Sequence, residues 1–150
     1  MEPNANLPGN WTIDRKLGEG SYGVVYQVQR AVGRQTEWAA VKHVSIPRSE
    51  SELEAICAEL GTRDDAALRD YLSGIKDATV AEYLRMKQLQ GHTNVVACND
   101  IHVVDKTDGP GYDLYICMEL LHSLSSRIAS GAITRDETIR IGMDVCRALA

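Results

Sequence analysis

The chain has 150 residues, of which 44% are apolar and 25% charged, and its net charge is −5. This size and composition predict an ordinary globular domain with its own core, and the acidic balance excludes a dominant nucleic-acid-binding role, because phosphate backbones recruit basic surfaces. Neither a secretory leader nor an apolar run of roughly 18 residues is evident, so we expect a cytoplasmic protein without a membrane partner.

The first part of the chain predicts a tail followed by three antiparallel strands. Proline, glycine and asparagine in residues 1–10 indicate a flexible tail. Residues 11–17, 24–29 and 37–46 are rich in alternating or β-branched apolar side chains, which is typical of strands.

The next part predicts three helices. Ser49 and Glu52 have the spacing of a capping box at the start of the first helix, and Gly61 suits the position just after its end. An aspartate at 64 or 65 can cap a second helix, which Gly74 weakens.

A third, longer helix is predicted from Ile75 to about residue 90. Its apolar side chains share one face with a single carboxylate, at spacings typical of a helix. The members of this face are Ile75, Ala78, Glu82, Met86 and Leu89.

The remaining chain predicts strand-like segments at 95–98, 101–104 and 114–118, followed by a short helix at 123–130. Thr134 and Glu137 then form a second capping-box pattern, which opens a helix that still continues at the end of the chain. We expect this 134–150 helix to expose an apolar face and so to promote self-association. The face consists of Ile139, Met143, Cys146 and Leu149.

The chain also contains Cys57, Cys98, Cys117 and Cys146, without a CxxC pair and without a histidine at metal-ligand spacing. We therefore expect four buried, reduced thiols and no bound metal. A disulfide or a zinc site is the alternative.

Gly18, Gly20 and Gly23 form a GxGxxG motif between the first two predicted strands. Glycines at this spacing let the backbone approach a polyphosphate, although a plain hairpin turn also explains them. Dinucleotide-binding folds share the motif, and Glu37 lies at about the distance of their ribose contact. In those folds a helix begins inside the motif, whereas GVVYQVQ predicts a strand here.

Lys42 lies on an otherwise apolar strand face in the segment AAVKHVSI. A lysine that extends to water is one explanation. Glu82 favours another, because a carboxylate on a buried helix stripe needs a cation or hydrogen bonds to offset several kcal/mol of desolvation. We therefore predict an ion pair between Lys42 and Glu82, and a surface pair of Glu82 with Arg85 is the alternative.

Together these segments resemble the N lobe of protein kinases. Gly18, Gly20, Gly23 and Val25 match the GxGxxGxV loop, and AAVK resembles the VAIK strand. EYLRMKQLQGHTNVV resembles the C helix and the strand after it, while LYICMELL is similar to the fifth strand and hinge. Four motifs in the family's order make a chance match improbable.

The resemblance implies an α+β fold. A kinase-like N lobe at 11–121 would have a five-stranded antiparallel sheet and a C helix, and residues 122–150 would form the hinge and the first helices of an unfinished C lobe. A helical insertion at about 47–75 replaces the few residues found in most family members. We hypothesise that this insertion controls the C helix.

The resemblance also implies where ATP would bind. Lys42, paired to Glu82, would hold the α- and β-phosphates. The glycine loop would cover the phosphates through Gly18, Glu19, Gly20, Ser21 and Gly23.

At the adenine, Val25 and Ala40 would form the roof and Met118 would be the gatekeeper at the back. The carbonyl of Glu119 and the amide of Leu121 would hydrogen-bond the adenine edge.

The chemistry of the family also needs an HRDxxxxN loop and a DFG motif, which supply the base and the Mg²⁺ ligands. The chain has no phenylalanine, and the TRD segments at Thr62 and Thr134 have Arg69 and Ile141 where the asparagine is required. We therefore expect the ATP-binding portion of a serine/threonine kinase that uses ATP and Mg²⁺ but is inactive as this chain alone. A non-catalytic kinase-like module that binds a nucleotide or a protein is the alternative, and the sequence does not identify a protein substrate.

Overall fold

The computed structural model describes residues 5–149, which form an antiparallel six-stranded sheet and four helices. The predicted α+β class is confirmed. The strands are β1 (Asn6–Leu7), β2 (Trp11–Gly20), β3 (Gly23–Val32), β4 (Gln35–Ile46), β5 (Cys98–Asp105) and β6 (Tyr112–Met118). The helices are α1 (Glu50–Leu60), α2 (Asp65–Gln88), α3 (Leu124–Ala129) and α4 (Arg135–Ala148).

The sheet has the strand order β1-β2-β3-β4-β6-β5, with every neighbouring pair antiparallel. It curls, and each of its faces has its own core. One core is built by the strands themselves, from Leu7, Trp11, Ile13, Tyr26, Val28, Ala39, Val41 and Cys117. On the other face α2 packs against β4, β5 and β6, and α1 adds Ile56 to the same core.

The strand count differs from the predicted five. Asn6 and Leu7, within the segment expected to be a flexible tail, pair with Thr12 and Trp11. Leu7 is 7% exposed and belongs to the first core, against which Ala5 also packs, so apolar side chains within this polar segment hold it against the sheet as an edge strand. The part of the tail at residues 1–4 lies outside the described residues. The strand predicted at 95–98 is also wrong, because β5 begins only at Cys98.

Helix α2 joins the second and third predicted helices into one. Asp64 caps it by accepting a hydrogen bond from the Ala67 amide at 3.1 Å, and it passes through Gly74 without a break. Its buried residues are Leu68, Leu72 and Tyr83. The predicted stripe through Glu82 is therefore wrong by one position: Tyr83 faces the core and Glu82 is exposed.

The capping boxes have different outcomes. At α4 both halves form, since the Thr134 hydroxyl accepts from the Glu137 amide and the Glu137 carboxylate accepts from the Thr134 amide. At α1 the Ser49 hydroxyl accepts from the Glu52 amide, but the Glu52 carboxylate bonds Arg48 instead. The TRD segments lie at helix starts, since Asp64 caps α2 and Thr134 caps α4.

Helices α3 and α4 bury no side chain within the described chain. The predicted exposure of Ile139, Met143 and Leu149 is confirmed, and Ala150 lies outside the described residues. Cys146 on this face is exposed and Cys57 is half-buried, so the expectation of four buried thiols is wrong for both. In the described part of the chain, no helix is long and apolar enough to cross a membrane.

Candidate functional site

The GxGxxG motif forms the tip of the hairpin between β2 and β3. Gly20 is paired with Gly23 across a two-residue turn made of Ser21 and Tyr22. The strand continues directly from Gly23, so no helix begins inside the motif. This excludes the dinucleotide-binding interpretation, which requires one.

The three glycines have different surroundings. Gly23 has a φ of +120°, and a Cβ there would lie 2.2 Å from the carbonyl oxygen of His43, so packing against β4 requires glycine. A Cβ at Gly18 or Gly20 would have no neighbouring atom within 4 Å. The backbone at these two positions is therefore open to an approaching ligand.

The pairing of the strands brings four predicted site residues onto one face of the sheet. Gly18 pairs with Val25, Val25 with Lys42, and Ala40 with Met118. Directly paired residues share a face, as do residues two apart on one strand. Val25, Ala40, Lys42 and Met118 consequently lie on the same surface, next to the glycine hairpin.

The segment after β6 has the two free backbone groups that the resemblance implies. The Glu119 amide donates to the Ala97 carbonyl at 3.0 Å, and the Glu119 carboxylate accepts from the Ala97 amide at 2.7 Å. These two bonds fix the backbone at Glu119. Within residues 5–149, the Glu119 carbonyl and the Leu121 amide take part in no hydrogen bond.

The predicted ion pair between Lys42 and Glu82 is not formed. In the described part of the chain neither Lys42 nor Arg85 forms an ion pair with Glu82. Since Tyr83 and not Glu82 occupies the buried face of α2, the desolvation cost that would have demanded a partner is absent. The Lys42 ammonium instead lies 5.7 Å from the centre of the Tyr22 ring.

Lys42 and Glu82 nevertheless line the same cavity, which has a volume of about 280 Å³. It lies between the hairpin tip, β4, α1 and α2, and its polar rim includes Tyr22, Arg48 and Glu52. Its apolar wall is made of Val44, Ile46, Ile56 and Ile75. The charged side chains of Lys42 and Glu82 thus lie beside an apolar surface.

A second cavity, of about 380 Å³, lies between the hairpin and the segment after β6. Leu17 and Gln27 line it from the sheet, and Leu120 and Leu121 line it from the other side. Val25, Ala40 and Met118 line neither cavity. The structure thus brings the predicted residues to one face and one edge, without enclosing them in one pocket.

Tyr22 and Arg48 also belong to the site, although no sequence motif marks them. An Arg48 amine donates to the Ser21 carbonyl at 2.8 Å, and the same guanidinium bonds the Glu52 carboxylate at 2.9 Å. The hydrogen bonds from Arg48 lower the pKa of Glu52. Arg48 lies just before the capping residue of α1, four positions from Glu52, and no local signal predicts the contact with Ser21.

Other charges near the site are paired locally. Glu19 on the hairpin pairs with Lys16, and the hydrogen bond from Lys16 lowers the pKa of this carboxyl. Burial raises the pKa of the Cys98 thiol, which lies beside Met118 in the sheet. No group of three metal-ligating side chains occurs among residues 5–149.

No protein-family model matches the chain, and the search of curated proteins finds no match.

Proposed function

We propose that this chain is the ATP-binding portion of a protein serine/threonine kinase with a kinase-like N lobe. The observation that carries the proposal is the shared sheet face of Val25, Ala40, Lys42 and Met118, beside a glycine hairpin with free space at Gly18 and Gly20. An apolar strip would contact the adenine, and the ammonium at its end would contact the phosphates.

The groups after β6 and in the hairpin complete the proposed site. The free carbonyl of Glu119 and the free amide of Leu121 offer the acceptor and donor that an adenine edge needs. The missing side chains at Gly18 and Gly20 leave room for phosphate oxygens near the backbone.

Phosphoryl transfer itself is not assigned to any residue of the chain. The sequence contains neither HRDxxxxN nor DFG, so the proton acceptor and the Mg²⁺ ligands of the family have no counterpart in these 150 residues. In the proposal, the complete enzyme transfers the γ-phosphoryl group of ATP to protein hydroxyls. The assignment to serine and threonine hydroxyls, and not to tyrosine, follows from the resemblance alone.

A cytoplasmic location also belongs to the proposal. All four cysteines are free, which suits a reducing compartment. A non-catalytic nucleotide-binding module is distinguished from the enzyme by the coding sequence after Ala150: HRDxxxxN and DFG support the enzyme, and a stop codon supports the module.

Titration calorimetry with ATP tests the proposed site. We expect a dissociation constant in the millimolar range, roughly −4 kcal/mol, because adenine contacts and one lysine supply only part of a kinase site. Lys42→Met should weaken binding about tenfold or more, since it removes the charge that faces the phosphates. Lys87→Met is the matched control, because Lys87 is an exposed lysine in the last turn of α2 and lines neither cavity.

Three results would contradict the proposal. The first is an unchanged affinity in Lys42→Met, and the second is an equal loss of affinity in Lys87→Met. The third is that ATP does not bind even at concentrations well above the millimolar range. Micromolar affinity would show that the expected weakness is wrong.

A further inference from the structure

Arg48 connects the glycine hairpin to the helical insertion. It lies between the end of β4 at Ile46 and the capping residue of α1, Ser49. A terminal guanidinium nitrogen, Nη1, donates to the Ser21 carbonyl at 2.8 Å, at the tip of the hairpin. A residue that follows β4, the strand that carries Lys42, therefore bonds the hairpin between β2 and β3.

Glu52 holds the other side of the same guanidinium. Its carboxylate accepts from Nε and the second amine of Arg48 at 3.1 and 2.9 Å, and from the Arg48 backbone amide at 2.6 Å. These bonds also lower the pKa of Glu52. The planar guanidinium fork bonds the hairpin and α1 at once, which a lysine ammonium cannot do with the same geometry.

The hairpin tip that Arg48 bonds also carries Tyr22 over Lys42. The Tyr22 ring is 79% exposed, so packing against the core does not hold it in place. Its centre lies 5.7 Å from the Lys42 ammonium, within the range of a cation–π contact. The ring thus occupies one approach to the charge that is proposed to bind phosphate.

We propose that Arg48 and Glu52 form a latch that keeps the hairpin tip closed over Lys42 and opposes phosphate binding there. The proposal rests on the proposed function, because it regulates the same site. Phosphate reaches Lys42 when the bond between Arg48 and Ser21 breaks and Tyr22 moves away. Arg48 and Glu52 are positioning residues, since they act through the loop, and the insertion in this way controls access to the nucleotide site.

The test compares Arg48→Ala, Arg48→Lys and Glu52→Gln in the 150-residue chain, with Arg63→Ala as the matched control. Arg63 is an exposed arginine between α1 and α2, and it takes part in none of the latch hydrogen bonds. Hydrogen exchange of the amides at 18–23 reports the loop, and titration calorimetry reports the affinity for ATP. Far-ultraviolet circular dichroism verifies that each variant is folded.

In Arg48→Ala and Glu52→Gln we expect faster exchange at 18–23 and an ATP affinity about fivefold higher, the size of losing one exposed charge-assisted hydrogen bond. Arg48→Lys should lie between Arg48→Ala and the unmodified chain, and Arg63→Ala should match the unmodified chain. Unchanged exchange in Arg48→Ala overturns the latch. Faster exchange with an unchanged or lower affinity overturns its role in access.

The same data separate the latch from the proposed function. If neither the unmodified chain nor any variant binds ATP, the proposed function is overturned, and with it the proposal that the latch controls access of phosphate to Lys42. The contact between Arg48 and Ser21 is then judged by hydrogen exchange alone. Faster exchange at 18–23 in Arg48→Ala supports the contact, and unchanged exchange excludes it.

Discussion

The three glycines of the hairpin show how one motif combines a folding requirement with an open surface. Gly23 is fixed by the fold, because its φ of +120° and the nearby His43 carbonyl leave no space for a side chain. Gly18 and Gly20 have no such constraint in the described chain. The sequence motif treats all three alike, and only the geometry separates them.

Alanine substitutions test this difference. Gly23→Ala should lower the free energy of unfolding by about 1–3 kcal/mol or more, the cost of strained backbone with a steric clash. Gly20→Ala should change it by less than about 0.5 kcal/mol, since its Cβ would meet no atom, and should weaken ATP binding instead. Urea unfolding measures both, and an equal loss of stability in the two variants would contradict the assignment.

Among the elements, α2 determines which charges reach the site. Its register is set by Leu68 and Leu72 near its start, and this register carries through Gly74 to place Tyr83 in the core. Glu82 is then one position away, exposed at the rim of the cavity that Lys42 also lines. A separate helix beginning at Ile75 would lack this constraint and could turn the face that carries Glu82 toward the core.

Gly74 provides a test of the continuous helix. A Cβ at this position would meet no atom, so Gly74→Ala should raise the free energy of unfolding by about 0.5–1 kcal/mol through helix propensity. Gly61→Ala is the matched comparison with the opposite sign, because Gly61 ends α1 with a φ of +66°. Thermal unfolding measures both changes. A destabilised Gly74→Ala would indicate that the helix is broken at this point.

How far the sequence predicts this fold depends on whether a signal is local. The alternation in β3 and the capping box at Thr134 are local, and both are confirmed. The pairing of β1 goes with the burial of Leu7 and the packing of Ala5 in an otherwise polar tail. The exposure of Glu82 depends on a register set fourteen and ten residues earlier, at Leu68 and Leu72. Short-range patterns do not contain either of these long-range effects.

The candidate site follows the same division. Strand alternation placed Ala40 and Lys42 on one face in advance, and the pairing of β4 with β6 adds Met118 to it. The bond from Arg48 to Ser21 joins residues 27 positions apart and requires the fold to be known.

In the whole molecule the sheet with α1 and α2 forms the packed part, whereas α3 and α4 follow it with their apolar side chains exposed. Ile139 and Met143 are 52% and 51% exposed, so their substitution removes no core contact. Charges of both signs, including Arg140 and Asp144, flank this face of α4. Two antiparallel copies of the helix can therefore cover the apolar residues and pair unlike charges.

Self-association through α4 is the prediction at this scale. We expect sedimentation to show a reversible dimer at high concentration, and mild oxidation to cross-link copies through Cys146, which is free and exposed on the same helix. Ile139→Glu combined with Met143→Glu should abolish both results, because it places like charges in the contact. Cys146→Ser should abolish only the cross-link. A strictly monomeric chain at high concentration, or cross-linking that persists in the double variant, would exclude this face as the contact between copies.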